Sequence, residues 1–293
     1  MAFSFQTFRT RTLTAIIFAA IMLTGLLWNQ WSFLILFSII HFGCWWEYFK
    51  LTEKIHTINF HPYTKLGLMV MGYGLMLWFC GSSFQINNYG VKENISLPVS
   101  AAGFGLLLTG IFQKNAIHLK AFAMAMPGLI YISLCWGLMV ELYSGMDLKF
   151  SVSILRDSIL PLTIIIAIWI NDTMAYLVGS FIGKTPLSDL SPKKTWEGTL
   201  GGIIICVVLM FFLWGCLVFQ VHDAGLNQVF GIMAAIAAIS GVFGDLLESK
   251  IKRSAVVKDS GTLMPGHGGF LDRFDSLLLA TPMVWIYLKL IMQ

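Results

Sequence analysis

The chain has 293 residues, of which 57% are hydrophobic and only 12% charged, with a formal net charge of +4 and a mean hydropathy of +0.77. These values exclude an ordinary soluble globule, and the modest positive charge, gathered in a few loops, points to anionic headgroups rather than nucleic acid. No internal repeat and no loop long enough for a soluble domain is visible. Residues 1–293 therefore read as one all-α, polytopic membrane domain, with scaffold spans in 1–150 and the chemistry in 151–293.

A helix needs about 20 apolar residues to cross a bilayer. Nine such runs are predicted, near 13–29, 31–47, 64–82, 97–113, 121–140, 158–182, 198–220, 228–248 and 275–292. The first follows Arg9 and Arg11 but shows no small-residue cleavage site, so it reads as a retained anchor. With the N-terminus in the cytoplasm, 15 of the 19 basic residues fall on the inner side, and the two long charged loops face the cytoplasm. The compact length without a targeting extension suggests a bacterial inner membrane. Five cysteines, Cys44, Cys80, Cys135, Cys206 and Cys216, lie in or beside apolar runs without a CxxC pair, as packing residues do.

The first five spans are chemically quiet. His41, Glu47, His56, His61 and His118 read as interfacial residues at span ends or in loops, and Pro127 predicts a kink in the fifth span. The sixth span differs, because Asp172 lies well inside it, where an ionisable group is expensive and marks function by default. Asp172, Tyr176, Gly179 and Gly183 share one helical stripe, and the small residues there would let a neighbouring helix approach closely. The loop Ser191-Pro192-Lys193-Lys194-Thr195 then leads to a helix start with Thr195 as its N-cap. Lys193 and Lys194 beside that positive helix end could hold an anion or simply touch headgroups.

In the eighth span Asp245, Ser249 and Lys252 fall at i, i+4 and i+7, so one face carries a carboxylate and then cations as it leaves the bilayer. Glu248 is placed for an intrahelical salt bridge to Lys252, whereas Asp245 sits in an apolar run and suits a metal ion beneath phosphates. The segment continues through Arg253, Lys258, Asp259 and the glycine-flanked His267 to Asp272, Arg273 and Asp275. Asp272 and Asp275, three apart, would share a face in the first turn of the last helix. With Asp245 they could hold hard divalent cations that bridge phosphate oxygens, although Asp272 also suits a helix N-cap.

Ser249, Lys252-Arg253, Lys258-Asp259, Gly261, Pro265, His267-Gly268-Gly269, Asp272-Arg273 and Asp275 resemble, at matching spacing, the signature of the phosphatidate cytidylyltransferases, or CDP-diacylglycerol synthases. Met264 is a mild departure, since that signature usually has Leu, Ile or Phe there. Asp172, Ala175-Tyr176, Gly183, Ser191-Pro192, Lys194-Thr195 and Gly198 also look like a second block of that family. The resemblance covers about residues 169–276 and implies transfer of a cytidylyl group from CTP to phosphatidate with magnesium, and leaves open a second, monovalent cation and a homodimer. It implies metal ligation by Asp245 and Asp272, with Asp275 as a further ligand or an outer partner, and charge neutralisation by Lys252, Arg253 and Lys258, joined by Arg273 unless it pairs with Asp275, with Asp259 and a hydrogen-bonding His267 in the reacting group. Asp172, Lys193, Lys194 and Ser249 would line the substrates. Two rivals remain: another membrane phosphotransferase sharing metal carboxylates and basic loops, and a transporter using Asp172 and Asp245 as ion sites.

Overall fold

The computed structural model describes residues 5–112, 119–144, 157–217, 224–261 and 268–291. Its elements are α1 (Phe5–Leu27), α2 (Gln30–His56), α3 (Pro62–Trp78), a small hairpin of β1 (Gln85–Ile86) and β2 (Tyr89–Gly90), and α4 (Leu97–Ile111). They continue as α5 (Leu119–Ala125), α6 (Cys135–Ser144), α7 (Ile159–Ile182), α8 (Trp196–Leu217), α9 (Ala224–Ser254) and α10 (Leu271–Ile291). Apolar runs without water must satisfy every backbone group internally, which is why they coil into helices.

Among the described residues six helices are long and apolar enough to cross a membrane: Gln30–His56, Phe122–Ser144, Ile159–Ile182, Trp196–Trp214, Asn227–Ser254 and Leu271–Ile291. The protein is thus an all-α polytopic membrane protein. The other three expected spans are helical but their apolar lengths are short, Leu13–Leu27 in α1, 17 residues in α3 and 15 in α4. A π-helical turn, Lys92–Ser96, leads into α4. Near Pro127 the fifth span loses α-helical regularity, α5 ending at Ala125 and a π-helical stretch running Leu129–Leu134 before α6, as the proline predicts.

The chain divides into two compact units, Met1–Gly145 with Ser254–Phe274, and Met146–Arg253 with Asp275–Gln293. In the first, α2 is the centre and packs against α1, α3, α5 and α6. Its buried stripe recurs every four residues, Phe33, Phe37, His41, Trp45 and Phe49, none more than 1% exposed. Phe33 stacks on Tyr143 at 4.1 Å and Phe37 meets Trp136 at 5.2 Å between ring centroids. His41 is therefore not interfacial: its Nε2 lies 3.0 Å from Ser133 Oγ, which also accepts a 2.9 Å bond from Trp45 Nε1. Helical periodicity carries His41 onto the buried stripe. His61 does sit at a helix end, accepting from Tyr63 N as the N-cap of α3, and His118 lies outside the described residues.

In the second unit α7 and α8 cross through small residues. A Cβ at Gly198 would stand 2.7 Å from Ala175 O and 2.9 Å from Gly179 Cα, and one at Gly202 would stand 2.8 Å from Ala175 Cβ. Ala175 and Gly179 on α7 and Gly198 and Gly202 on α8 are thus two facing small-xxx-small pairs, the close approach expected from the Gly179 stripe. Gly202→Val should overpack this crossing and cost about 1–3 kcal/mol. Thermal unfolding in detergent checks this, and an unchanged midpoint would refute the crossing. On α9, a Cβ at Gly244 would collide with Asp275 O, so α9 and α10 also meet backbone to backbone.

Candidate active site

The second unit gathers most of the sequence-predicted acidic residues around one lysine. Ser191, Pro192, Lys193 and Lys194 form a turn closed by Lys194 N donating to Ser191 O at 3.0 Å, with proline at its second position. Leu187 N bonds Lys194 O at 2.8 Å and Trp196 N bonds Thr185 O at 3.0 Å, making a narrow return of the chain onto the start of α8. Thr195 Oγ1 accepts from Gly198 N at 3.2 Å, the expected N-cap. Glu197, which the sequence reading did not single out, accepts from Lys184 N at 3.1 Å and Thr185 Oγ1 at 2.9 Å, tying the far end of the loop to the same helix turn.

So held, Lys194 reaches Asp245 of α9, its Nζ 2.9 Å from Oδ2. Burial alone would lower the Lys194 pKa, but the carboxylates of Asp245, Asp172 and Asp275 outweigh it and raise the value above the ordinary lysine range. Asp275 is only 7% exposed; its Oδ1 accepts from Ser276 N at 2.6 Å, and the charges of Asp245, Lys194 and Lys252 act on it. Asp172 stands mid-way along α7 on an exposed face. Glu248, buried, pairs with Lys252 one turn on, as its spacing predicts, although that face is not solvated. Lys193, Arg253, Lys258, Asp259 and Arg273 are exposed and Ser249 is half-buried, while His267 lies outside the described residues.

Asp272 has other company, within the first unit. Its Oδ2 accepts from Ser260 N and Gly269 N, each at 2.8 Å, and lies 2.9 Å from Ser260 Oγ. Gly268, at φ +85°, takes a left-handed conformation that disfavours any side chain, and a Cβ there would meet the Asp272 carboxylate. Beside this cluster stands Glu47 of α2, 4% exposed. It accepts from Phe270 N at 2.9 Å, Leu271 N at 2.9 Å and Ser260 Oγ at 2.7 Å. Reading Glu47 as interfacial is thus wrong, because α2 runs on to His56 and leaves it well inside the helix. The signal was present in the sequence: a carboxylate between Trp45-Trp46 and Tyr48-Phe49 is as costly as Asp172 or Asp245.

Among the described residues no three His, Cys, Asp or Glu side chains stand at metal-holding spacing. The charge of Asp245 acts on the buried Asp275, and two neighbouring carboxylates are a donor set that a hard cation such as magnesium commonly takes, with water and phosphates completing its shell.

A profile described as the cytidylyltransferase family matches residues 9–291. The chain is 33% identical over 293 residues to a phosphatidate cytidylyltransferase of Haemophilus influenzae, covering 94% of this chain and 96% of that protein. Against the Bacillus subtilis phosphatidate cytidylyltransferase it is 31% identical over 224 residues, 74% of this chain and 77% of the other. Phosphatidate cytidylyltransferase 4, chloroplastic, of Arabidopsis thaliana is 32% identical over 220 residues, 67% of this chain; the match spans only about half, 53%, of that longer relative.

Proposed function

This chain belongs to the cytidylyltransferase family, and we propose that it transfers the cytidylyl group of CTP to phosphatidate, leaving CDP-diacylglycerol in the bilayer and releasing pyrophosphate. The observation that carries this reading is the match over residues 9–291, which takes in the whole lysine and carboxylate cluster. A phosphatidate oxygen attacks the α-phosphorus of CTP as the bond from that phosphorus to the β-phosphate oxygen breaks, and the bonding electrons leave with pyrophosphate. A phosphomonoester has a second pKa of about 6, so the nucleophile is already ionised at neutral pH and needs no Ser-His-Asp or Cys-His activation. The remaining demands are in-line positioning and charge control.

Lys194 neutralises phosphate charge beside Asp245, while Lys252, Arg253, Lys258 and Arg273 line the triphosphate and the leaving group. The arginines suit two-point contacts with phosphate, and the lysines act as point charges. His267 donates a hydrogen bond to phosphate or base, with Asp259 beside it in the reacting segment. Asp172, Lys193 and Ser249 face the phosphatidate headgroup. Asp245 and Asp275 would hold magnesium, which would neutralise phosphate oxygens and stabilise the departing pyrophosphate, and Asp272 is assigned to the phosphate chemistry by the resemblance rather than by its position. The finer topology follows the charge bias: nine spans, N-terminus inside and the reaction on the cytoplasmic face of a bacterial inner membrane.

The test is incubation of proteoliposomes carrying phosphatidate with CTP labelled in its cytidine. Labelled lipid with stoichiometric pyrophosphate is the expected result, and no labelled lipid under any divalent or monovalent cation condition overturns the reading.

A further inference from the structure

We propose that Glu47 is a positioning residue for the reaction: its carboxylate, reaching from α2, fixes Ser260 and the stretch Gly269–Asp272, and with them the placement of Asp272. The proposal rests on reading that segment as part of the phosphate-handling site. A carboxylate 4% exposed within a membrane-spanning helix is costly unless its oxygens are fully engaged. Both are engaged: Oε1 takes Phe270 N, and Oε2 takes Leu271 N and Ser260 Oγ. Phe270 N and Leu271 N open α10, where backbone N–H groups lack helical partners and the helix dipole favours an anion. Glu47 therefore caps α10 from a helix more than two hundred residues earlier in the chain.

The same contacts reach Asp272. Ser260 Oγ stands 2.7 Å from Glu47 Oε2 and 2.9 Å from Asp272 Oδ2, so one hydroxyl links the two carboxylates. A Cβ at Gly261 or Gly269 would collide with the Glu47 carboxylate. The missing side chains at these two positions thus let the backbone lie against the Glu47 carboxylate. A glutamine in its place offers one acceptor and one amide donor, and the donor would face a backbone N–H or the Ser260 hydroxyl. Aspartate keeps the charge but is one methylene too short to reach the same donors.

The experiment compares wild type, Glu47→Gln, Glu47→Asp and Ser260→Ala in detergent, with two readouts. Amide hydrogen exchange across Gly269–Leu271 in Glu47→Gln should accelerate about tenfold or more, since bonds to a charged acceptor are lost, while exchange in α7 and α8 stays unchanged. Turnover should fall about 100-fold through kcat, with KM for CTP changed far less, because Asp272 is misplaced rather than the nucleotide lost. Glu47→Asp should recover part of kcat, and Ser260→Ala should accelerate the same exchange even if Glu47→Gln fails to fold. Wild-type exchange in the folded variants, or a kcat within about threefold of wild type beside a lowered melting temperature, overturns the proposal and leaves Glu47 a packing residue. If the wild-type protein makes no labelled lipid, the proposed function fails by itself, and the exchange data still decide whether Glu47 sets the segment.

Discussion

Asp245→Asn is expected to cut the turnover of CTP and phosphatidate by about 1,000-fold or more while the protein stays folded, a loss of ~4 kcal/mol in transition-state stabilisation. Asparagine keeps the shape of the side chain, so the approach of α9 and α10 at Gly244 is undisturbed. What disappears is one negative charge, the one 2.9 Å from Lys194. Lys194 keeps Asp172 and Asp275 as electrostatic partners, so its own charge stays compensated and the fold survives. The reaction does not survive, because a hard cation cannot be held by an amide and one carboxylate as firmly as by two carboxylates. Steady-state kinetics across a magnesium titration, with melting temperature as the control, checks this. A kcat within tenfold of wild type and an unshifted magnesium dependence would remove Asp245 from the site.

The fold was legible wherever one property decided it. Long apolar runs had to be helices, Pro127 had to disturb its span, and the small residues at Ala175 and Gly179 had to mark a crossing. Helix ends were less legible because hydropathy locates the lipid-facing length, not the length of the coil. Thus α2 continues past the predicted 47 to His56 through a polar turn in which Glu53 pairs with Lys65 at 2.7 Å. The grouping of Ser254–Phe274 with the first unit was not legible at all. It depends on contacts between Glu47 and Ser260, Phe270 and Leu271, and no periodicity within a window of some 20 residues reports on partners so far apart.

The candidate site divides the same way. Asp172 and Asp245 stand out as ionisable groups where ionisation is expensive, Lys194 as a cation at a helix start and Asp275 as a carboxylate in the first turn of the last helix, and the structure brings their charges together. The expectation that Asp272 and Asp275 share a helical face was too coarse. A spacing of three residues leaves about 60° between side-chain directions, enough for Asp272 to bond Ser260 and Gly269 while Asp275 bonds Ser276 near Asp245. Glu47 was missed although the rule that found Asp172 applied to it equally. Placing the end of the second span at residue 47 turned a buried carboxylate into an interfacial one.

Lys194→Met should produce the second large effect, a fall of about 100-fold in kcat/KM, exceeding that of Lys193→Met several-fold. The two lysines are adjacent in sequence, but the turn exposes Lys193 and delivers Lys194 to Asp245. Methionine keeps the apolar stem and removes only the charge, leaving Asp245, Asp275 and Asp172 to repel one another and the incoming phosphates without the cation that pairs with Asp245. The pH dependence has a definite sign. Because the carboxylates raise the Lys194 pKa above its usual 10.5, the stability it contributes is fully present below that value and is lost as pH rises through the raised one. The melting-temperature gap between wild type and Lys194→Met should therefore stay level from about pH 7 to 9 and narrow only above the ordinary lysine range. A gap that closes already between pH 7 and 9, or equal kinetic losses from Lys193→Met and Lys194→Met, would mean that the loop lysines serve only as headgroup anchors.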